Sequence, residues 1–234
     1  MTLSKNSTSF MGNRYNQIIC IAAFIFSLVN IIMIINSQIP SEVFNKEGYS
    51  RWIFYYHVPI AWNWMVALFL GGINSTLYLV TGKRKYDLRA LAFSELSTLF
   101  GFLVLFSGFI WAAPAWGTNW RWEPRLTTTL ILELIYLGYF MIKAYGGSYE
   151  KTSIYRAYIS IMSVAMVPVV YYSVTFLDAA VQAHPGQGEY LNYGGLSIFL
   201  FSLISFMVLL AYLFSIRMFR LKNNISNIQK NEVA

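Results

Sequence analysis

Long apolar segments separated by short polar ones dominate the chain, at roughly Ile18–Ile35, Val58–Val80, Ala92–Ala113, Leu126–Ala144, Ile154–Leu177 and Gly195–Ile216. About 20 apolar residues cross a hydrocarbon core of roughly 30 Å, so the pattern predicts an all-α polytopic membrane protein with six transmembrane helices. The first segment is read as a retained helix. Its apolar run is longer than the core of a signal peptide, and Asn36–Gln38 offers no small-residue cleavage pattern. An even number of spans puts both termini on one side. The expected organisation is a single membrane domain over residues 1–216, followed by a short, basic, solvated tail over 217–234.

Orientation follows from Lys and Arg, which accumulate in cytoplasmic loops. All of them except Lys46, Arg51, Arg121 and Arg125 fall on the side of the termini. The termini are therefore expected in the cytoplasm. Three loops, Asn36–His57, Pro114–Arg125 and Asp178–Gly194, then face away from it, where basic and acidic residues nearly balance.

Composition supports this reading: of 234 residues, 57% are apolar and 12% charged, against about 25% charged in soluble domains. The net charge of +7, from 17 basic and 10 acidic residues, forms no basic stripe of the kind that nucleic-acid binding uses. It is a topology signal. Cys20 is the sole cysteine, which excludes intrachain disulfides, CxxC redox pairs, cysteine-cage zinc sites and CxxCH haem attachment.

The candidate chemistry gathers on the outer face. The only two histidines are both placed there: His57 where the first outer loop enters the second helix, and His184 in the third outer loop. Either alone can be a solvated loop residue, but two imidazoles on opposite sides of an iron would make a six-coordinate haem. All seven tryptophans fall on the same face. Trp52, Trp62 and Trp64 flank His57, while Trp111, Trp116, Trp120 and Trp122 lie in or beside the second outer loop. Interfacial anchoring predicts tryptophan at both membrane surfaces. The tyrosines obey that rule, with Tyr15, Tyr86, Tyr145 and Tyr149 at the inner one. The one-sided tryptophans suggest either an asymmetric anchoring belt or an aromatic platform for a large flat ligand.

The run Trp116-Gly117-Thr118-Asn119-Trp120-Arg121-Trp122-Glu123-Pro124-Arg125-Leu126-Thr127 is the most specific feature. Gly117, Thr118 and Asn119 suit a turn, and Glu123 followed by Pro124 suits a helix start. Arg121 and Arg125 can bind carboxylates such as haem propionates, or Glu123 or lipid phosphates instead. Glu133 lies inside the fourth helix, where a carboxylate is costly and marks either function or a helix-to-helix hydrogen bond. Glu95 is expected to face headgroups, and Pro168 to bend the fifth helix.

That run resembles the tryptophan-rich WWD signature of the haem-handling proteins of cytochrome c maturation, most closely the CcmC branch, haem exporter protein C. The His-Val-Pro start of the second helix with Trp62 soon after, the second outer histidine before the last helix, and the six-helix layout agree over roughly residues 15–216. The resemblance implies a protein of the inner (plasma) membrane that binds b-type haem non-covalently and transiently at the extracytoplasmic face. It further implies presentation of that haem to a membrane-anchored haem chaperone. Carried over, His57 and His184 are the axial ligands, and Trp116, Gly117, Trp120, Arg121, Trp122, Glu123 and Arg125 are the candidate haem-contacting residues. ABC-transporter subunits and a small single-span membrane protein are the other implied partners, beside the lipid bilayer. Two positions depart from the signature: Asn119 stands in place of a further tryptophan, and Glu123 in place of the usual aspartate.

Catalysis has little support. No GxxxxGK phosphate loop occurs, and a Ser/His/Asp site would need one of the two outer histidines. The alternative reading is a bis-histidine electron carrier of the cytochrome b type, which normally places its histidines within helices and often holds a second haem across the bilayer. A channel or transporter would have only Asn74, Glu95 and Glu133 for a polar path.

Overall fold

The computed structural model describes residues 10–36, 51–175 and 195–233. The described residues are all helical or connecting. Six helices are long and apolar enough to cross a membrane: α1 (Arg14–Ile35), α2 (Arg51–Thr81), α3 (Arg84–Trp116), α4 (Pro124–Tyr145), α5 (Tyr149–Tyr172) and α6 (Leu196–Val233). Their limits are set by local chemistry. The Asn13 side chain accepts a hydrogen bond from the Tyr15 N–H at the start of α1. Gly117 ends α3 in the left-handed conformation, φ 74°, its N–H bonded to the Ala113 carbonyl, a backbone state glycine reaches without steric cost. Glu123 and Pro124 open α4 as expected, with proline in the first turn, where its missing N–H is not needed.

α2 packs along α3 and α5, α4 rests on α5, and α1 lies outside against α6. Between lipid-immersed helices the hydrophobic effect gives no preference for contact, so close packing and interhelical hydrogen bonds hold them. Gly72 shows the first. A Cβ there would lie 2.3 Å from Cγ2 of Val164, so glycine is what lets α5 reach the α2 backbone. The buried Ser202 hydroxyl shows the second, donating to Asn30 Oδ1 at 2.6 Å and joining α6 to α1. Trp64, Leu68, Phe100, Leu132, Tyr136 and Tyr139 form the core of α2, α3 and α4. Phe24, Ile73, Phe106, Met141 and Met162 point outward, as lipid-facing side chains do.

Three expectations change. The apolar run predicts α2 from Val58, but the helix begins at Arg51, because Phe54 and Tyr55 are buried against Ile34 and Phe199. His57 therefore lies inside a helix, about 9 Å along it at ~1.5 Å per residue, and not at a loop mouth. Glu95 does not simply face headgroups: it takes Lys143 Nζ at 2.8 Å and pairs with Arg217. The segment expected as a tail after Ile216 is a continuation of α6 to Val233, anchored at its start by that Arg217 contact.

Candidate functional site

At the tryptophan end of the bundle, α2 and α3 cross with His57 between them. His57 Nδ1 lies 2.8 Å from Ser107 Oγ. The same serine oxygen lies 2.6 Å from the Leu103 carbonyl four residues earlier. A hydroxyl has one hydrogen, and the carbonyl can only accept, so the Ser107 hydrogen goes to Leu103. Ser107 must then accept from His57 Nδ1–H. This fixes the tautomer: Nε2 carries the lone pair, and it has no hydrogen-bond partner among the described residues. An imidazole with one nitrogen held by an acceptor and the other bare is the arrangement of a metal-ligating histidine.

Two further α3 residues shape the place. A Cβ on Gly108 would lie 3.2 Å from His57 Cε1, so glycine gives the ring its seat. Trp111 meets the imidazole edge-on, with centroids 5.7 Å apart and planes at 66°. Gly108→Val should push the imidazole off its seat and weaken binding of any ligand coordinated by Nε2 by about tenfold, measured by titrating haem into the purified variant. Unchanged affinity would show that the close approach is unimportant.

The loop after α3 folds back over this region. Asn119 Nδ2 donates to the Phe109 carbonyl at 3.2 Å, tying the turn to the residue beside Gly108. Trp120 and Trp122 pack edge to face, centroids 5.5 Å apart. Trp120 Nε1 is buried without an acceptor among the described residues, whereas Trp122 is 76% exposed. Arg125, expected to meet a carboxylate or lipid phosphates, also makes a contact with backbone. Its Nη2 donates to the Tyr171 carbonyl at 2.8 Å near the end of α5. Arg121 is exposed, Trp116 is the half-buried last residue of α3, and Glu123 is buried at the mouth of α4.

The described structure thus gathers His57, Trp111, Arg125 and the 116–123 loop at one end of the bundle. His184 lies outside the described residues. Ser107 and Gly108 were not legible as site residues. The available signal was a Ser-Gly pair within an apolar run, with Ser107 one turn before Trp111 and so on the same helix face. Bare Nε2, an unpartnered indole N–H, an arginine and flanking aromatic rings fit a flat, anionic, metal-bearing ligand such as haem. Among the described residues no group of three or more His, Cys, Asp or Glu could cage a bare metal ion.

The family model described as "Heme exporter protein C" matches residues 2–233. The chain is 31% identical over 186 residues to a putative cytochrome c biosynthesis ccmC-like mitochondrial protein of Arabidopsis thaliana, covering 78% of this chain and 69% of that one. It is 28% identical to heme exporter protein C of Bradyrhizobium diazoefficiens, covering 76% of this chain and 66% of the relative. Against heme exporter protein C of Escherichia coli (strain K12) it is 27% identical, covering 74% and 71%.

Proposed function

The chain belongs to the haem exporter protein C (CcmC) family, a multi-pass membrane family of haem handling in cytochrome c maturation, and from that premise we propose that it carries haem at its tryptophan end and presents it to a haem chaperone. The observation that carries the proposal is the state of His57. Ser107 takes up Nδ1–H and leaves Nε2 without a partner among the described residues, at the same end as aromatic rings and a guanidinium.

In this reading haem is cargo, a b-type haem bound non-covalently and transiently. His57 donates Nε2 to the iron, and His184 supplies the second axial ligand. Trp116, Trp120 and Trp122 with Gly117 offer the aromatic loop, and the Trp120 N–H, Arg121 and Arg125 are the donors suited to the propionates. Glu123 stands at the same edge as a contact for haem or chaperone. The basic-residue asymmetry supports cytoplasmic termini, which puts the haem end on the extracytoplasmic face of the inner (plasma) membrane. The partners are a membrane-anchored haem chaperone, ABC-transporter subunits that would supply any ATP-driven step, and a small single-span membrane protein.

One observation favours the electron-carrier reading: His57 is within a helix, as ligands of membrane cytochromes b are. Against it, the chain has only two histidines, and the basic end has none for a second haem. Two measurements separate the readings. Purified protein loaded with haem should show a six-coordinate low-spin spectrum that becomes five-coordinate in His184→Ala. The loaded wild type should also yield its haem to apomyoglobin. A six-coordinate spectrum that survives in both His184→Ala and His57→Ala overturns the ligation; haem that is retained against the acceptor and cycles reversibly between oxidation states supports the electron carrier.

A further inference from the structure

Deeper in the bundle, α2 to α5 enclose polar groups that haem binding does not use. Glu133 is 2% exposed, and both of its carboxyl oxygens lack a partner among the described residues. Trp64 Nε1, Ser94 Oγ, Tyr136 OH and Ser160 Oγ are buried and unpartnered in the same way. Each such group is costly in a membrane interior if left unsatisfied, because no water is there to bond it. So many of them together therefore imply partners that are not protein.

Their register makes them one feature. Gly101, Ser97 and Ser94 recur on α3 at spacings of three and four, as do Ser163, Ser160 and Arg156 on α5, while Glu133, Tyr136 and Tyr139 follow at threes on α4. Each set lies along a single helix face. A Cβ on Gly101 would meet Glu133 Oε2 at 2.0 Å and Trp64 Nε1 at 2.9 Å, so both atoms converge on that glycine. One turn on, the Tyr136 hydroxyl is buried without a partner among the described residues, and Ser94 and Ser97 of α3 and Ser160 and Ser163 of α5 are fully buried in the same bundle. The Arg156 guanidinium carbon lies 6.0 Å from the centroid of the Tyr139 ring. Arg156 holds Asp87 at 2.9 Å, and Asp87 accepts from Tyr149 at 2.7 Å at the basic end. These groups lead from mid-bundle toward that end.

We propose that this seam is a hydrated, proton-binding site in which Glu133 is a neutral acid and exchanges its proton through bound water, past Tyr136 and the serines, toward the Asp87–Arg156 pair. In the transfer the Glu133 O–H bond breaks as a water takes its proton and releases another to the next oxygen. At the basic end the last oxygens are the buried Asp87 carboxylate and the Tyr149 hydroxyl bonded to it, and the exposed Tyr149 is where the proton meets solvent; reversal restores the acid. The groups facing the seam are Trp64 of α2, Asp87 of α3, Tyr136 and Tyr139 of α4, and Tyr149 and Arg156 of α5. Water fits better than a metal cation. The Trp64 N–H points a donor at the place where a cation would sit, and Arg156 repels one from below.

Infrared difference spectra of the full chain in lipid nanodiscs, wild type minus Glu133→Gln, test this at neutral pH with and without sodium. The expected result is a carbonyl band of a protonated acid that is lost in E133Q and indifferent to sodium. The band should shift on transfer to D2O, with exchange slowed about tenfold or more in Tyr136→Phe. Glu133→Asp, which moves the band without removing it, serves if the glutamine variant does not fold. Absence of the band, its loss on adding sodium, or equal exchange in wild type and Y136F overturns the proposal. Haem binding, read on the same samples, is independent of the result.

Discussion

Replacing His57 by glycine should lower haem affinity more than about 100-fold, and free imidazole should restore most of it. Loss of a partner that only orients a metal ligand typically costs 10–100-fold, so loss of the ligand itself costs more. Glycine leaves a space lined by Ser107, Gly108 and Trp111. Imidazole entering it regains the Ser107 oxygen as acceptor for one nitrogen and presents the other to the iron. Rescue separates ligation from mere packing, since a packing defect has no reason to be repaired by a ligand of the iron. Ser107→Ala is the graded companion. It keeps the imidazole but removes the acceptor at 2.8 Å, so the ring is no longer fixed in one tautomer or orientation, and affinity should fall about tenfold. Haem titrations of the purified variants, followed by absorption, measure both. If H57G binds haem like wild type, or imidazole does not help it, His57 is not the ligand.

The sequence pattern identified the spans because hydropathy responds to the membrane, and it misplaced some ends for the same reason. Residues 51–57 read Arg-Trp-Ile-Phe-Tyr-Tyr-His, too polar to count as a span. Phe54 and Tyr55 nonetheless continue α2, because α1 and α6 bury them, and this moves His57 from the loop mouth to the helix wall. At the other end α6 outlasts its apolar run, since lysine, arginine and glutamine are adequate helix formers outside lipid. The tryptophan loop was legible as chemistry because its residue types are rare and clustered. Ser107 was not, since its role depends on the rotation of α3 against α2, which neither helix encodes alone. Glu133 was visible by its cost. Its surroundings were not, because serines every third or fourth residue are ordinary in a single helix and form a seam only when three such faces meet.

The Asp87–Arg156 pair was hidden for a related reason, being 69 residues apart in sequence, and removing either member alone should destabilise the basic end. Arg156 Nη2 reaches both carboxyl oxygens, at 2.9 and 3.1 Å, with side chains 5% and 3% exposed. Removing one member of a buried pair strands the other charge, at a cost of about 3–5 kcal/mol. Asp87→Ala also deprives the Tyr149 hydroxyl of its acceptor. Thermal or denaturant unfolding in detergent should show that loss, whereas Asp87→Leu combined with Arg156→Met should recover most of it, because an apolar pair of similar volume strands no charge. A double-mutant cycle closed with the single variants Asp87→Leu and Arg156→Met would then measure the pair itself, and a loss below about 1 kcal/mol in Asp87→Ala would show that water already screens it. Asp87 lies twenty residues before Ser107 on α3, about 30 Å along the helix. Haem affinity of the folded D87A protein should therefore match wild type, so the two ends of the bundle can be perturbed separately: one alters ligand binding, the other alters how firmly α3 and α5 are held together.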